Sequence, residues 1–376
     1  MVYELSHIDP NEKTCAGCSA CAKLCPSQCI TMTANREGFQ VAVVDEALCV
    51  NCGACKAVCP FISPSNLNNP NMVYAFQLQD ETERTESASG GAFFALASRF
   101  VQMGGLVCSA IDNAKEGGSF SITGDINTVK RMRGSKYYYI PLKDDVASML
   151  VNAVKTAPVL FCGLPCQVYA ARKMVRNSSN FLGVDLLCQG APSQMVVDAY
   201  RREEESRRGA RITKHSFRSK RNPDYRGYIA EVEYSDGHVE SARGDLNIYN
   251  CAFQHKLFLR EACYNCPFAG TDRAGDITIG DFWGIKSFNS SSQSNEVSLI
   301  LANSLKGNEL VSSISEIGVL EEHDLAEAIG GNATLSGPVA RPRMRSVSFK
   351  LLGKVGFRLA TSICYPKVLV KQALMK

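Results

Sequence analysis

The segment Cys15-Ala-Gly-Cys18-Ser-Ala-Cys21-Ala-Lys-Leu-Cys25-Pro26 returns 34 residues later as Cys49-Val-Asn-Cys52-Gly-Ala-Cys55-Lys-Ala-Val-Cys59-Pro60. The spacing C-x2-C-x2-C-x3-C-P therefore occurs twice. Thiolates two residues apart can grip one face of an iron–sulfur cubane from a tight loop, while the fourth cysteine, ahead of a proline that turns the chain, serves the other cluster. That rule assigns Cys15, Cys18, Cys21 and Cys59 to one [4Fe–4S] cluster and Cys49, Cys52, Cys55 and Cys25 to a second. Gly17 and Gly53 lie inside the loops, where a missing side chain lets backbone N–H groups approach the sulfurs. Zinc sites rarely repeat four cysteines in this rhythm with a following proline. Cys29 falls outside the rhythm and is expected to be a small buried hydrophobe. Residues 39–44, Phe-Gln-Val-Ala-Val-Val, predict a short strand between the halves.

The repeat occupies about a sixth of a 376-residue chain, long enough for two or three packed units. Seventeen cysteines in a chain of this size point to metal or redox chemistry, because disulfide frameworks belong to small exported domains. The start, MVYELSHIDPNEKTC, has no basic region followed by an apolar run, so no signal peptide and a cytoplasmic location are expected. No apolar stretch reaches the roughly 18 residues of a membrane span. The net charge of +4 is uneven: residues 341–376 hold nine Lys or Arg and no Asp or Glu. That tail is expected to be a solvated helix, with contact to a membrane surface or an acidic partner as the alternative. Nothing suggests nucleic acid binding.

Pro64-Ser-Asn-Leu-Asn-Asn-Pro-Asn71 is polar and proline-bounded, as a linker is. After it, residues 72–78 predict a strand, 91–103 a helix and 105–111 a strand. The runs 158–161 and 181–187, separated by a helical stretch near 167–175, have the order of a βαβ unit. Cys162 and Cys166 follow the first of these strands and Cys188 the second, so parallel pairing would gather them at the strand ends where open α/β sheets bind ligands. Downstream, Cys263-Tyr-Asn-Cys266-Pro267 precedes another predicted strand. A third cluster is therefore expected on Cys166, Cys188, Cys263 and Cys266, with Cys162 as substitute. Cys108, Cys251 and Cys364 sit in apolar contexts without ligand rhythm, and the five histidines show no paired spacing. Residues 201–208, Arg-Arg-Glu-Glu-Glu-Ser-Arg-Arg, predict a solvated helix face.

Four segments together, Ser87-Ala-Ser-Gly-Gly-Ala92, Gly134-Ser-Lys-Tyr137, Phe161-Cys-Gly-Leu-Pro-Cys-Gln167, and Cys263-x-x-Cys266 through Gly280-Asp-Phe-Trp-Gly284, resemble the coenzyme F420 hydrogenase/dehydrogenase beta-subunit family. The resemblance runs from about residue 72 to about residue 320, and an N-terminal ferredoxin domain is a common attachment in that family. It implies FAD and [4Fe–4S] centres, with a redox partner that varies between members and includes F420 and a chlorophyll derivative. The residues suit such a role. A Ser-x-Ser-Gly-Gly turn opening a helix, Ser87, Ser89, Gly90 and Gly91, offers hydroxyls, a close backbone and a helix N-terminus to a phosphate or a flavin edge. Its plainer alternative is a helix cap. Ser135 and Lys136 form a turn whose ammonium can face a pyrophosphate or the flavin N1, or simply solvent. Neither G-x-G-x-x-G nor a P-loop is present.

The expected fold is an α+β ferredoxin-like two-cluster module followed by a mixed α/β flavin and iron–sulfur region. The expected division is a two-cluster domain at 1–65, a linker at 66–72, N-terminal-type and C-terminal-type family domains at 73–152 and 153–325, and the basic tail at 326–376. The expected function is an iron–sulfur flavoprotein oxidoreductase passing electrons between a two-electron partner at FAD and one-electron clusters, with a ferredoxin or other redox protein outside. Two alternatives remain at this stage: a ferredoxin-dependent reductase of its own organic substrate, and an electron-carrying adaptor without flavin. No catalytic residue, direction of electron flow, substrate or oligomeric state is assigned.

Overall fold

In the computed structural model the described residues are 14–62, 64–65, 67–114, 117–221, 229–289 and 296–368. The expectations about the N-terminal start, including His7, concern residues 1–13 and lie outside them, as do Ser63 and Asn66 of the linker and the last eight residues of the tail.

Each cysteine repeat folds as a loop leading into a single helical turn, Ala20–Lys23 in the first and Ala54–Ala57 in the second. Between them strands β1 (Ile30–Ala34) and β2 (Gln40–Val44) pair antiparallel. Asn35 closes this hairpin: its side-chain oxygen accepts from the N–H groups of Glu37 and Phe39, the geometry that makes Asn a turn residue.

The remainder is built on one eight-stranded sheet. Its strands are β3 (Met72–Leu78), β4 (Leu106–Ile111), β5 (Ser119–Thr123), β6 (Val159–Gly163) and β7 (Phe181–Leu186). A side sheet follows in sequence, β8 (Ile212–Ser219), β9 (Ile229–Tyr234) and β10 (Val239–Arg243). β11 (Ile277–Asp281), β12 (Ser298–Ala302) and β13 (Gly318–Glu322) then complete the large sheet in the order β13-β3-β12-β11-β7-β6-β4-β5. Strands from both sides of residue 153 share it.

The centre of the sheet, β4, β6, β7 and β11, is parallel, and the flanking strands are antiparallel. These central runs carry apolar residues without a polar face because both faces are covered. Along β6, Val159 and Phe161 enter the core with the helices Asp144–Ala153 and Pro165–Met174, whereas Leu160 and Cys162 enter the core with the helix Ala92–Gln102. Period-two alternation thus separates Cys162 from Cys166.

Two expectations are corrected. Residues 201–208 lie in the helix Gln194–Arg208, but Arg201 and Glu204 are buried, pairing with Asp112 and with Arg207 and Arg358. In the basic tail, Arg345–Val355 and Phe357–Cys364 form helices whose Phe357 and Ala360 are fully buried. Charge counting missed these because the cations sit at the margins of apolar faces. Arg345 reaches back to donate to both carboxylate oxygens of Glu37 and to Leu259 O, fastening the two-cluster region to the body. Among the described residues no helix is long and apolar enough to cross a membrane.

Candidate functional site

Burial drives the Cys18 thiol up to about 12, and the neighbouring thiols of Cys15 and Cys59 add to it. Cys21 is raised by burial and then by Cys18, Cys15 and Cys59. These four stand together. On the other side Cys55 has Cys49 and Cys52 as thiol neighbours. Cys25 belongs to this second group, because Cys29, 3.5 Å from the Cys25 sulfur, also bonds Cys49. Burial opposes ionisation of Cys25, but the Ser27 hydroxyl and the Cys29 amide outweigh it and bring the thiol down to about 7. The exchange of the fourth cysteine between repeats is thus present in the geometry.

A third group forms where four segments meet. Pro165 opens a helix just past β6, and the Gln167 side chain accepts from Leu164 N, setting Cys166 in the first turn. Cys188 lies two residues beyond β7, its sulfur accepting from Gly190 N. Cys263 and Cys266 come from the turn Glu261–Asn265 and the residue after it. Burial pushes the Cys166 thiol well up, and its thiol neighbours are Cys18, Cys266, Cys188 and Cys263. Cys188 rises to about 12 and Cys266 to about 11, burial again first and Cys263 beside both. Cys162 is not among them; its surroundings are Lys136, Ser109 and Asp185.

Among the described residues no three His, Cys, Asp or Glu side chains converge closely enough for one bare metal ion. Sets of four thiols around a shared space suit a cubane, which takes one cysteine at each iron. Buried thiols held this high ionise only when a strong cation compensates them, so the donor chemistry fits iron.

A cavity of about 840 Å³ opens at the carboxyl ends of the parallel strands, within the range of cofactor sites. Cys188 lines it, so the third thiol group and the cavity share a wall. On one side runs the Ser87–Gly91 turn. Its hydroxyls hold the fold, Ser87 donating to Glu83 O and Ser89 to Val297 O. Gly90 is obligatory, since a Cβ there would stand 2.2 Å from Phe76 O. Gly91, at φ +94°, caps the helix Ala92–Gln102, whose start faces the cavity.

Lys136 is buried and donates to the carbonyls of Met132 and Arg133; burial lowers its ammonium to about 8 against the pull of Asp112. Ser135, on the same wall, bonds Tyr137, whose ring stacks on Phe253 at 4.3 Å. Arg218, paired with Asp281, and Lys256, bonded to Gln189, complete the basic lining. Sequence reasoning missed Arg218 and Lys256, which are single cations in unremarkable segments until the chain folds.

Residues 157–328 match the family described as the C terminus of the coenzyme F420 hydrogenase/dehydrogenase beta subunit, and residues 14–62 match the 4Fe-4S dicluster domain. The chain carries a 4Fe-4S dicluster domain ahead of the C-terminal domain of the coenzyme F420 hydrogenase/dehydrogenase beta-subunit family. The beta-subunit match takes in Cys166, Cys188, Cys263, Cys266 and the cavity residues Arg218 and Lys256, while Lys136 and the Ser87–Gly91 turn precede it. Among solved structures, a chain of the F420-reducing [NiFe] hydrogenase complex from Methanosarcina barkeri is similar at TM-score 0.46 and 16% identity, over 81% of this chain and 92% of that one. No curated protein matches the sequence.

Proposed function

We propose that the chain is an iron–sulfur flavoprotein oxidoreductase that exchanges electrons between a two-electron partner, such as an F420-like deazaflavin, at FAD in the cavity and one-electron [4Fe–4S] centres. The observation that carries this is Cys188, which lines the cavity and also belongs to the thiol group whose Cys166 abuts Cys18 of the dicluster domain. Cavity, third group and dicluster domain are therefore continuous.

Cys166, Cys188, Cys263 and Cys266 would hold the third cluster. FAD, when bound, supplies the conversion between two-electron and one-electron chemistry. The cavity suits it in charge, with Arg133, Lys136, Arg218 and Lys256 on its wall and Asp281 already paired to Arg218, so a pyrophosphate finds cations there. The Tyr137 and Phe253 rings supply a flat apolar face to a planar ligand. On the outer side, Cys52 is exposed and Leu48 and Val50 flank it in the open, an outlet toward a redox partner protein.

Anaerobic purification followed by iron and flavin analysis tests this. Three cubanes and one flavin give about 12 iron and about one FAD per chain, and Cys263→Ser should remove about a third of the iron. About eight iron in the unaltered protein would refute the third cluster, and iron without flavin would leave only the adaptor function.

A further inference from the structure

Arg260 is a charged side chain placed at the junction between the third thiol group and the dicluster domain, and it is only 2% exposed. It sits three residues before Cys263, whose N–H donates to Arg260 O at 3.0 Å. Its Nη1 crosses into the dicluster domain and donates to Cys15 O at 3.3 Å and Gln40 O at 2.9 Å. The guanidinium lies between two rings, 4.7 Å from the Phe39 centroid and 5.1 Å from that of Tyr139. Tyr139 makes the same crossing, its hydroxyl donating to Gly17 O at 2.7 Å. Among the described residues Nη2 of Arg260 has no hydrogen-bond partner, and it stands 2.6 Å from where a Cβ on Gly17 would be, inside the Cys15–Cys18 loop.

Nothing nearby neutralises the charge in an obvious way. The adjacent carboxylate, Glu261, is held by Arg341 and Arg345. Arg260 acts on the Cys263 thiol from one side, and Tyr139 has Cys166, Cys18 and Cys15 as its thiol neighbours. A buried donor without a partner is costly, and sulfur in a bound cluster is an acceptor of the right kind. The reduction potential of such a cluster depends on nearby charge and on hydrogen bonds to its sulfurs.

We propose that Arg260 is a positioning residue that docks the Cys15–Cys18 loop on the Cys263 turn and raises the potentials of the two clusters it separates above that of the Cys49-side cluster, making the Cys15-side cluster the entry point of the dicluster domain. This rests on the three-cluster function proposed above. Each transfer moves one electron from a reduced cluster to an oxidised one; no bond is made or broken, and the source is the reductant at the cavity. A fixed cation stabilises the added negative charge on either neighbour, and the cluster on Cys49, Cys52, Cys55 and Cys25 lies beyond its reach.

The test is an anaerobic redox titration of the full chain followed by electron paramagnetic resonance, in the unaltered protein, Arg260→Gln and Arg260→Lys, with iron counted in each. Arg260→Gln should shift the third and Cys15-side clusters downward relative to the Cys49-side cluster by about tenfold in equilibrium, about 59 mV for one electron. Arg260→Lys should recover most of that shift. With iron at about 12 per chain, potentials that stay in place, or a Cys49-side cluster that moves equally, overturn the role of Arg260 alone. Iron at about eight in the unaltered protein overturns the underlying three-cluster function instead. Should Arg260→Gln lose its iron, Tyr139→Phe decides: reduction of the dicluster domain through the cavity slows by about tenfold while the third cluster is reduced at the unaltered rate, and an unchanged dicluster rate overturns the proposal.

Discussion

Burial sets the proton affinity of Lys136, the cation at the cavity wall that the sequence did suggest. Its folded value of about 8 lies below the ordinary 10.5 of lysine, with burial the main cause. The unfolded chain therefore binds more protons between these two values, and the contribution of Lys136 to stability rises with pH across that window. Binding of an anion runs the other way, because the ammonium must be charged to attract it. The FAD dissociation constant should rise by about tenfold between pH 7 and pH 9, the worth of one charge-assisted contact. Fluorescence titration checks it: Lys136→Gln should bind more weakly at pH 7 and show a shallower dependence, and a flat profile in the unaltered protein would remove Lys136 from the ligand contacts. Lysine in a turn says nothing about burial, so the sequence left open whether this ammonium meets solvent or ligand. The cysteines were legible because ligand spacing is local: a loop of two or three residues decides which thiols meet.

At the scale of elements, the βαβ unit was readable from its two apolar runs and the helix between them, and β6 and β7 are parallel neighbours as that pattern requires. The insertion of β11 beside β7 was not readable, because a strand from more than ninety residues downstream pairs through tertiary contacts alone. Nor was the side sheet of β8, β9 and β10, whose alternating polar residues resemble any solvated strand. What fixes β7 to the loop ahead of β11 is a buried ion pair, Arg273 with Asp185, whose side chains are 2% and 0% exposed. Arg273 also donates to Phe268 O and Leu186 O, so one side chain holds the segments bearing Cys266 and Cys188. Asn68 of the linker pairs with Arg273 through the backbone and ties the linker to the same corner. Arg273→Met should cost about 3–5 kcal/mol of stability by leaving Asp185 buried and uncompensated. Urea unfolding with iron analysis should show that loss together with a fall of about a third in iron, the dicluster share being kept; full iron would mean that the thiol group does not depend on this pair.

At the scale of the whole molecule, the chain joins a small cysteine-rich domain to a broad sheet through contacts that no local pattern announces. Arg345 from the C-terminal helices grips Glu37, Ser193 donates to Glu37 O, and Lys23 meets Ser148. Counted as charge, the tail read as a solvated segment; folded, it is a strap whose apolar faces cover the helix Gln194–Arg208. The consequence is a continuous sequence of sites, cavity, third thiol group, Cys15-side group and Cys49-side group, with Cys188 and Cys166 as the joints. Its most direct test is to reduce the cavity flavin by light under anaerobic conditions and follow the dicluster signals by electron paramagnetic resonance in the unaltered protein and in Cys188→Ser. The account predicts that the unaltered protein fills its dicluster clusters, whereas Cys188→Ser reduces its flavin and leaves those clusters oxidised. Dicluster reduction at the unaltered rate in Cys188→Ser would contradict it.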